Sequence, residues 1–420
     1  MQNDSITLKV LAIAIIGGAC LIASFAVMGL VSERQDRGLE ASNEIALIWG
    51  GRQTLSGPML VKKSIVAGAT QNEFVLPHSL KYETKLLPEV RSRGIFKTVV
   101  YKSTNVVTGE FNASDIKAVF DNDSNALLTV AISDTRGIER QMSINWNGTS
   151  LPLEPGAGVN LYGMSGLHST VPLTRTTKTV PFSFEVELKG SEGFSFIPLG
   201  RETKIALESA WPSPKFVGAF LPSSQTVNKD GFKAGWQVSS FGRSYPQSFK
   251  TTEVYFDQVL LSAAGVDLLQ VIDIYDMTLR SVKYAILFIL ITFAAFFLFD
   301  VLGGVRVHPI QYLLIGAALA LFYLLLLSFS EWLGFPTAYL LATIMTACLV
   351  GSYSSFVLKS GNRAFLISII LVLLYGYLYL ILQLEDYALV AGSLLMFILL
   401  GGAMYATRNI DWFSLERKGH

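Results

Sequence analysis

The 420-residue chain has four histidines, His78, His168, His308 and His420. None has another His or Cys at metal-ligand spacing, and there is no H-E-x-x-H. His168, in Gly166-Leu167-His168-Ser169, has the chemistry of a general base. A lone His in a strand-rich segment is more often a turn or core residue. Ser114-Asp115-Ile116-Lys117 matches the S-x-x-K of penicillin-binding enzymes, but the companion S-D-N and K-T-G elements are missing. Lys178-Thr179 is followed by Val180. Gly156-Ala157-Gly158 has Leu161 where a dinucleotide loop needs its third glycine, and no Walker A or G-x-S-x-G sequence occurs. The residue types therefore predict no enzyme and no cofactor. Cys20 and Cys348 both fall in apolar stretches, so the polar part of the chain has no disulfide.

What such residues would be mounted on is set by six apolar stretches, about 10–31, 284–299, 309–330, 332–358, 364–384 and 387–407. A bilayer core takes about 20 apolar residues as helix. Five stretches reach that length without a charge. The second is short, and spans if Lys283 and Asp300 sit at its interfaces, because a lysine stem can lie in hydrocarbon while its ammonium reaches the headgroups. Every charged residue of the membrane half falls near a span end, which disfavours an ion-coupled transporter. The mid-span polar groups are hydroxyls, Thr343, Thr346, Tyr375 and Tyr377. Thr346, Tyr375 and Tyr377 are the candidates for lining a membrane cavity, although interhelical packing is the commoner role of such residues.

Loop charges orient the spans. With a cytoplasmic N-terminus, the inside segments hold Lys9, Arg306, Lys359, Arg363, Arg408, Arg417 and Lys418. The short outside loops hold only Glu331, Glu385 and Asp386. All Lys and Arg of the short loops then lie inside. Both termini are expected in the cytoplasm, and residues 32–280 outside it. The expected domains are an anchor at 1–31, an outer domain at 32–280, and a five-helix membrane domain with a cytoplasmic tail at 281–420.

Composition agrees with this division. The chain is 51% hydrophobic and only 15% charged, with mean hydropathy +0.45, against about 25% charged for a soluble protein. The outer segment balances its acidic and basic residues, which argues against a nucleic-acid partner. After the first span, Arg34–Trp49 reads as a short amphipathic helix ended by Gly50-Gly51. Strand patterns follow at Ile95–Tyr101, Ala126–Ile132, Phe182–Leu188 and Phe232–Val238, punctuated by Gly, Pro, Asn and Asp. They predict a mostly β, sandwich-like domain. Val266–Arg280 is expected to be helical and to feed the second span. The fold class expected is thus an α+β membrane protein: a six-helix transmembrane bundle with a periplasmic mostly-β domain inserted between helices 1 and 2.

Several stretches resemble the CreD family of bacterial inner-membrane proteins, and the resemblance covers nearly the whole chain. They are Ile45–Gly51 with Gly57-Pro58, Arg93–Phe96 with Val100-Tyr101, Asp134–Ile138, Trp211–Phe216, His308–Leu314, Leu321–Glu331 and Glu385–Leu389. One departure is Trp211, where the family pattern has His before Pro-Ser. The resemblance implies a role in cell-envelope integrity, with a link to a two-component system and to envelope-stress and β-lactam response. It implies no catalytic residue or ligand. The expected partner is the lipid bilayer, and the sequence names no protein partner. The competing readings are a carrier of an uncharged or lipid-like solute, and a periplasmic enzyme acting on cell-wall material.

Overall fold

The computed structural model describes residues 6–66, 69–121, 123–138, 140–161, 163–173, 178–250, 255–268, 274–303, 307–384 and 387–408. Two units emerge, residues 38–271 and residues 1–37 with 272–420.

Helix α1, Ile6–Trp49, contains the boundary between the units. The expected break between a membrane span and a separate helix at Arg34 does not exist. The polar run Ser32–Glu44 lacks Pro and holds only one Gly, and Glu33 and Arg37 pair one turn apart at 2.6 Å, so nothing interrupts the backbone ladder. The helix stops at Gly50, whose φ is 127°. A Cβ there would lie 2.7 Å from the Lys189 carbonyl oxygen, so only glycine fits.

The strands of the first unit are β1 Gln53–Val66, β2 Ala69–Val75, β3 Ser79–Arg93, β4 Phe96–Asn112, β5 Asn125–Ile132, β6 Met142–Trp146, β7 Thr149–Pro155, β8 Ser165–Pro172 and β9 Thr179–Ser191. They continue as β10 Gly193–Ile197, β11 Glu202–Ser209, β12 Pro214–Gly218, β13 Ser224–Asn228, β14 Gly231–Ser239, β15 Ser248–Lys250 and β16 Ala264–Leu268. Helices α2, Ala113–Phe120, and α3, Tyr255–Leu261, are short. All four strand patterns read from the sequence are strands.

The hydrogen-bonded order is β12-β16-β10-β1-β5-β8-β7-β6-β9-β4-β3-β11-β14-β13, with β2 and β15 pairing off β1. The sheet folds over on itself. Tyr82 of β3 packs on Phe196 of β10 at 5.1 Å, and Tyr101 of β4 on Phe194 of β10 at 6.0 Å. Phe216 of β12 meets Phe232 and Trp236 of β14 at 5.8 Å, bringing the two ends of the path together. Alternation along β3, with Leu80, Tyr82 and Leu86 buried and Lys81, Glu83 and Lys85 exposed, shows one face turned inward. One continuous apolar core results. Val266–Leu268 is not helical as expected: Val266 is fully buried in β16, between β10 and β12.

The membrane unit holds the first part of α1 with α4 Ile274–Lys283, α5 Ala285–Gly303, α6 Pro309–Leu333, α7 Phe335–Val357, α8 Gly361–Gln383 and α9 Ala388–Thr407. Among the described residues four helices (α1, α6, α7 and α8) are long and apolar enough to cross a membrane, or five if α4 and α5, bent by 41°, form one span. The apolar part of α9 is shorter, Val390–Gly402. His308 caps α6: its Nδ1 accepts from Ile310 N–H, and Gln311 Oε1 accepts from His308 N–H at 2.8 Å, with Pro309 in the first turn.

Charged contacts tie α1 to this unit at two levels. Lys9 pairs with Asp300 of α5. Arg34 lies 3.9 Å from Glu331 of α6, which also accepts a hydrogen bond from Tyr275 of α4 at 3.2 Å. The two levels are 25 residues apart along α1, about 37 Å at the helical rise. That spacing is long enough to bracket a hydrocarbon core of about 30 Å.

Two outcomes are expected. Residues 38–271 expressed alone should be soluble and give a β-rich circular dichroism spectrum; an unfolded or mainly helical spectrum would refute an independent core. Lys9→Leu should lower stability by about 3 kcal/mol in thermal melts of the detergent-solubilised protein, because Asp300 is left nearly buried and unpaired. Adding Asp300→Leu should recover most of that loss.

Candidate functional site: the end of helix α1

Where α1 stops, its last carbonyls need partners, and one short turn supplies them. Asp134 begins a 3-10 turn, Thr135–Gly137, and accepts Arg136 N–H at 3.0 Å. The Arg136 guanidinium grips the same carboxylate with Nε at 2.9 Å and Nη2 at 2.8 Å, and its Nη1 donates to the Leu47 carbonyl at 3.2 Å. A cation thus meets the negative end of the helix. The other side of the Asp134 carboxylate accepts Gly51 N–H at 3.0 Å. These contacts hold the Asp134 carboxyl down to about 2, Arg136 contributing most.

Gln53 fixes this turn to the sheet. Fully buried, it donates through Nε2 to the carbonyls of Asp134 at 2.9 Å and Lys189 at 2.8 Å, while its Oε1 accepts Asp134 N–H at 3.3 Å. Gly137 leaves the room for that approach: a Cβ on it would lie 2.3 Å from the Lys189 carbonyl oxygen. Trp49, in the last turn of α1, donates to the Tyr101 carbonyl at 3.2 Å. Arg91 and Lys189 lie over its indole at 4.9 and 5.0 Å, contacts worth about 0.5–1 kcal/mol each when exposed. Arg93 pairs with Glu44 at 2.5 Å. Tyr101 donates to the Gly193 carbonyl at 2.7 Å, and burial pushes its hydroxyl well above the ordinary range.

Three stretches that carry the sequence resemblance, Ile45–Gly51, Arg93–Phe96 with Val100-Tyr101, and Asp134–Ile138, therefore converge on one helix end. The family model described as inner membrane protein CreD matches residues 5–413. The inner membrane protein CreD of Escherichia coli strain K12 is 33% identical over 413 residues, 94% of this chain and 91% of that protein. The chain belongs to the CreD family. Its several apolar helices agree with an inner-membrane family.

At this helix end each of the three nitrogens of the Arg136 fork makes one structural hydrogen bond. The other candidates lie apart. His168, in β8, has its Nδ1 2.7 Å from the Gly156 carbonyl and its Nε2 3.8 Å from the exposed Glu154 carboxylate. Ser114 opens α2, where its hydroxyl donates to Asn112 Oδ1 at 3.0 Å. No cluster of three metal-ligating side chains occurs among the described residues. Trp211, the departure from the family pattern, packs half-buried against the β core.

In the membrane unit, Tyr375 is fully buried, its ring 4.5 Å from Phe288 and 4.3 Å from Phe322, and its carbonyl accepts the Tyr339 hydroxyl at 2.7 Å. Tyr377 donates to the Ala391 carbonyl of α9 at 2.8 Å. Thr346 is buried on α7. Lys359 has positive φ, 49°, just past α7, and Arg363 lies in the first turn of α8. Arg408 follows α9 and stacks over Tyr405 at 3.9 Å. Arg306, Glu385, Asp386, Arg417 and Lys418 lie outside the described residues. Sequence reading missed Gln53; a glutamine two residues after a helix-ending Gly-Gly carries no motif of its own.

Asp134→Ala should destabilise the protein by about 2 kcal/mol, the scale of a hydrogen bond to a charged group, measured by chemical or thermal unfolding at pH 7. Because the folded carboxyl sits below its unfolded value of about 4, its contribution is present above pH 4. It is lost as the pH falls toward about 2. The gap between wild type and Asp134→Ala should close over that window; a gap independent of pH would refute the ion pair.

Proposed function

We propose that the protein is a non-enzymatic, multi-pass inner-membrane protein that maintains cell-envelope integrity and acts in envelope-stress and β-lactam response downstream of a two-component system. The observation behind this reading is the family match over nearly the whole chain, joined to a best-built polar cluster that is spent on holding a helix end. In this reading six helices span the membrane, α9 being the sixth and α4 with α5 the second. Both termini are cytoplasmic. The β unit is periplasmic, inserted between the first and second spans. Lys9, Arg306, Lys359, Arg363 and Arg408 set the orientation, and Glu331 with Arg34 marks the outer headgroup level.

A second reading, a carrier for an uncharged or lipid-like solute, has one observation in its favour. The hydroxyls of Tyr323 and Tyr375 are buried in the membrane unit without a hydrogen-bond partner. A buried unpaired hydroxyl calls for an explanation, and a transiently bound polar group would supply one. Thr346, Tyr375 and Tyr377 are the residues that would line the path.

Two measurements separate these ideas. In a background with Cys20 and Cys348 replaced by Ser, Ser224→Cys should react with an impermeant thiol reagent in cells with a permeabilised outer membrane. Asn362→Cys should react only after the inner membrane is opened. The reverse pattern would overturn the orientation. For function, His168→Ala, Ser114→Ala and Tyr375→Phe should each complement a deletion strain's detergent and β-lactam sensitivity within about twofold, while removal of residues 53–268 should not. A null phenotype for Tyr375→Phe at normal protein level would favour the carrier, and one for His168→Ala or Ser114→Ala a periplasmic enzyme.

A further inference from the structure

A groove of about 450 Å³ runs between α1 and α5, both in the membrane unit. Its lining is hydrocarbon and glycine, including Val10, Gly17, Gly18, Leu21, Ile286 and Phe297. Two adjacent glycines in a helix interior cost roughly 1 kcal/mol each relative to Ala. Glycines in membrane helices usually repay that by letting another helix close in. Gly316 of α6 does so: a Cβ there would run into the Cys20 sulfur. Gly17 and Gly18 do not. A Cβ on Gly18 meets nothing within 4 Å, and one on Gly17 would sit in ordinary contact with Phe293 at 3.8 Å and Ile289 at 4.0 Å. Gly18 therefore makes space rather than contact, and Gly17 borders α5 without needing to be glycine.

The size and ends of that space limit its occupant. From Val10 to Leu21 the groove extends about 17 Å along α1, one leaflet of a hydrocarbon core of about 30 Å. It starts one residue from Lys9, whose ammonium is paired with Asp300 and whose side chain is 20% exposed. It ends near the middle of the uncharged stretch of α1. A second helix packed along α1 would have no reason to stop at the bilayer centre, whereas a single acyl chain does.

We propose that this groove holds one acyl chain of a phospholipid, with its phosphate beside Lys9. The proposal assigns the lipid to the cytoplasmic leaflet, a detail that rests on the orientation given above. The bound chain fills the space that Gly18 leaves, and the lysine, which has three donors, keeps Asp300 while sharing a proton with the phosphodiester.

The test uses the full chain, purified from nanodiscs of palmitoyl-oleoyl phosphatidylethanolamine and phosphatidylglycerol, with native mass spectrometry counting lipids that survive detergent exchange. Wild type should retain one phospholipid. Gly18→Leu fills open space, so it should melt at or above the wild-type temperature while retaining about tenfold less lipid. Equal lipid retention by Gly18→Leu and wild type, or a wild type that carries none, would overturn the proposal. A dimer that Gly18→Leu dissociates would overturn it too, by naming a second copy as the occupant. Lipid loss reads the groove whichever leaflet it faces. If the thiol assay reversed the orientation while Gly18→Leu still lost lipid, the site would stand and only its leaflet would change.

Discussion

The Asp134–Arg136 pair is the contact on which the helix end of the β unit depends. A long helix that stops beside a sheet presents unpaired carbonyls to a region where water is partly excluded, and each needs a donor. The planar Arg136 fork can serve a carboxylate and a carbonyl at once. Asp134 in turn reaches the first backbone N–H beyond the glycine that ended the helix. A lysine at 136 would supply the charge without the fork.

The same economy of polar groups governs the membrane unit. Two charged pairs sit at two levels of α1, and from Val10 to Ser32 the helix between them carries no charge. Buried hydroxyls such as Thr343 and Ser354 donate to the carbonyl one turn back, which satisfies them without a partner helix. Tyr339 and Tyr377 instead bond across helices, α7 to α8 and α8 to α9. Aromatic stacking around Tyr375 packs α5, α6, α7 and α8 together where hydrocarbon gives no hydrophobic drive.

Much of this was legible in the residues alone. Hydropathy and length marked the apolar helices, because lipid forces the backbone to satisfy itself within each segment. Alternation marked Phe182–Leu188 as a strand, since one face of it must turn to the core. The apolar stretch from residue 309 marked the start of α6, where the structure shows His308 as the cap and Pro309 in the first turn. The continuity of α1 across Arg34 was harder to see, because an amphipathic stretch after an apolar one reads equally well as a new helix. Val266–Leu268 was misread as helix because a five-residue strand, Ala264–Leu268, buried between two others has no periodicity to distinguish it.

The sequence by itself determined the class of protein: which segments meet lipid, which meet water, where the cations lie and which catalytic motifs are missing. Those properties are sums over residues or short runs, so they survive without a fold. Only the tertiary structure decided that Gln53, Trp49, Arg91, Asp134 and Lys189 share one helix end. These residues are spread over some 140 positions, and what unites them is the pairing of strands far apart in the chain. It also decided that Gly18 faces open space while Gly316 faces Cys20. A glycine's meaning lies in what stands opposite it, and no spacing rule records that.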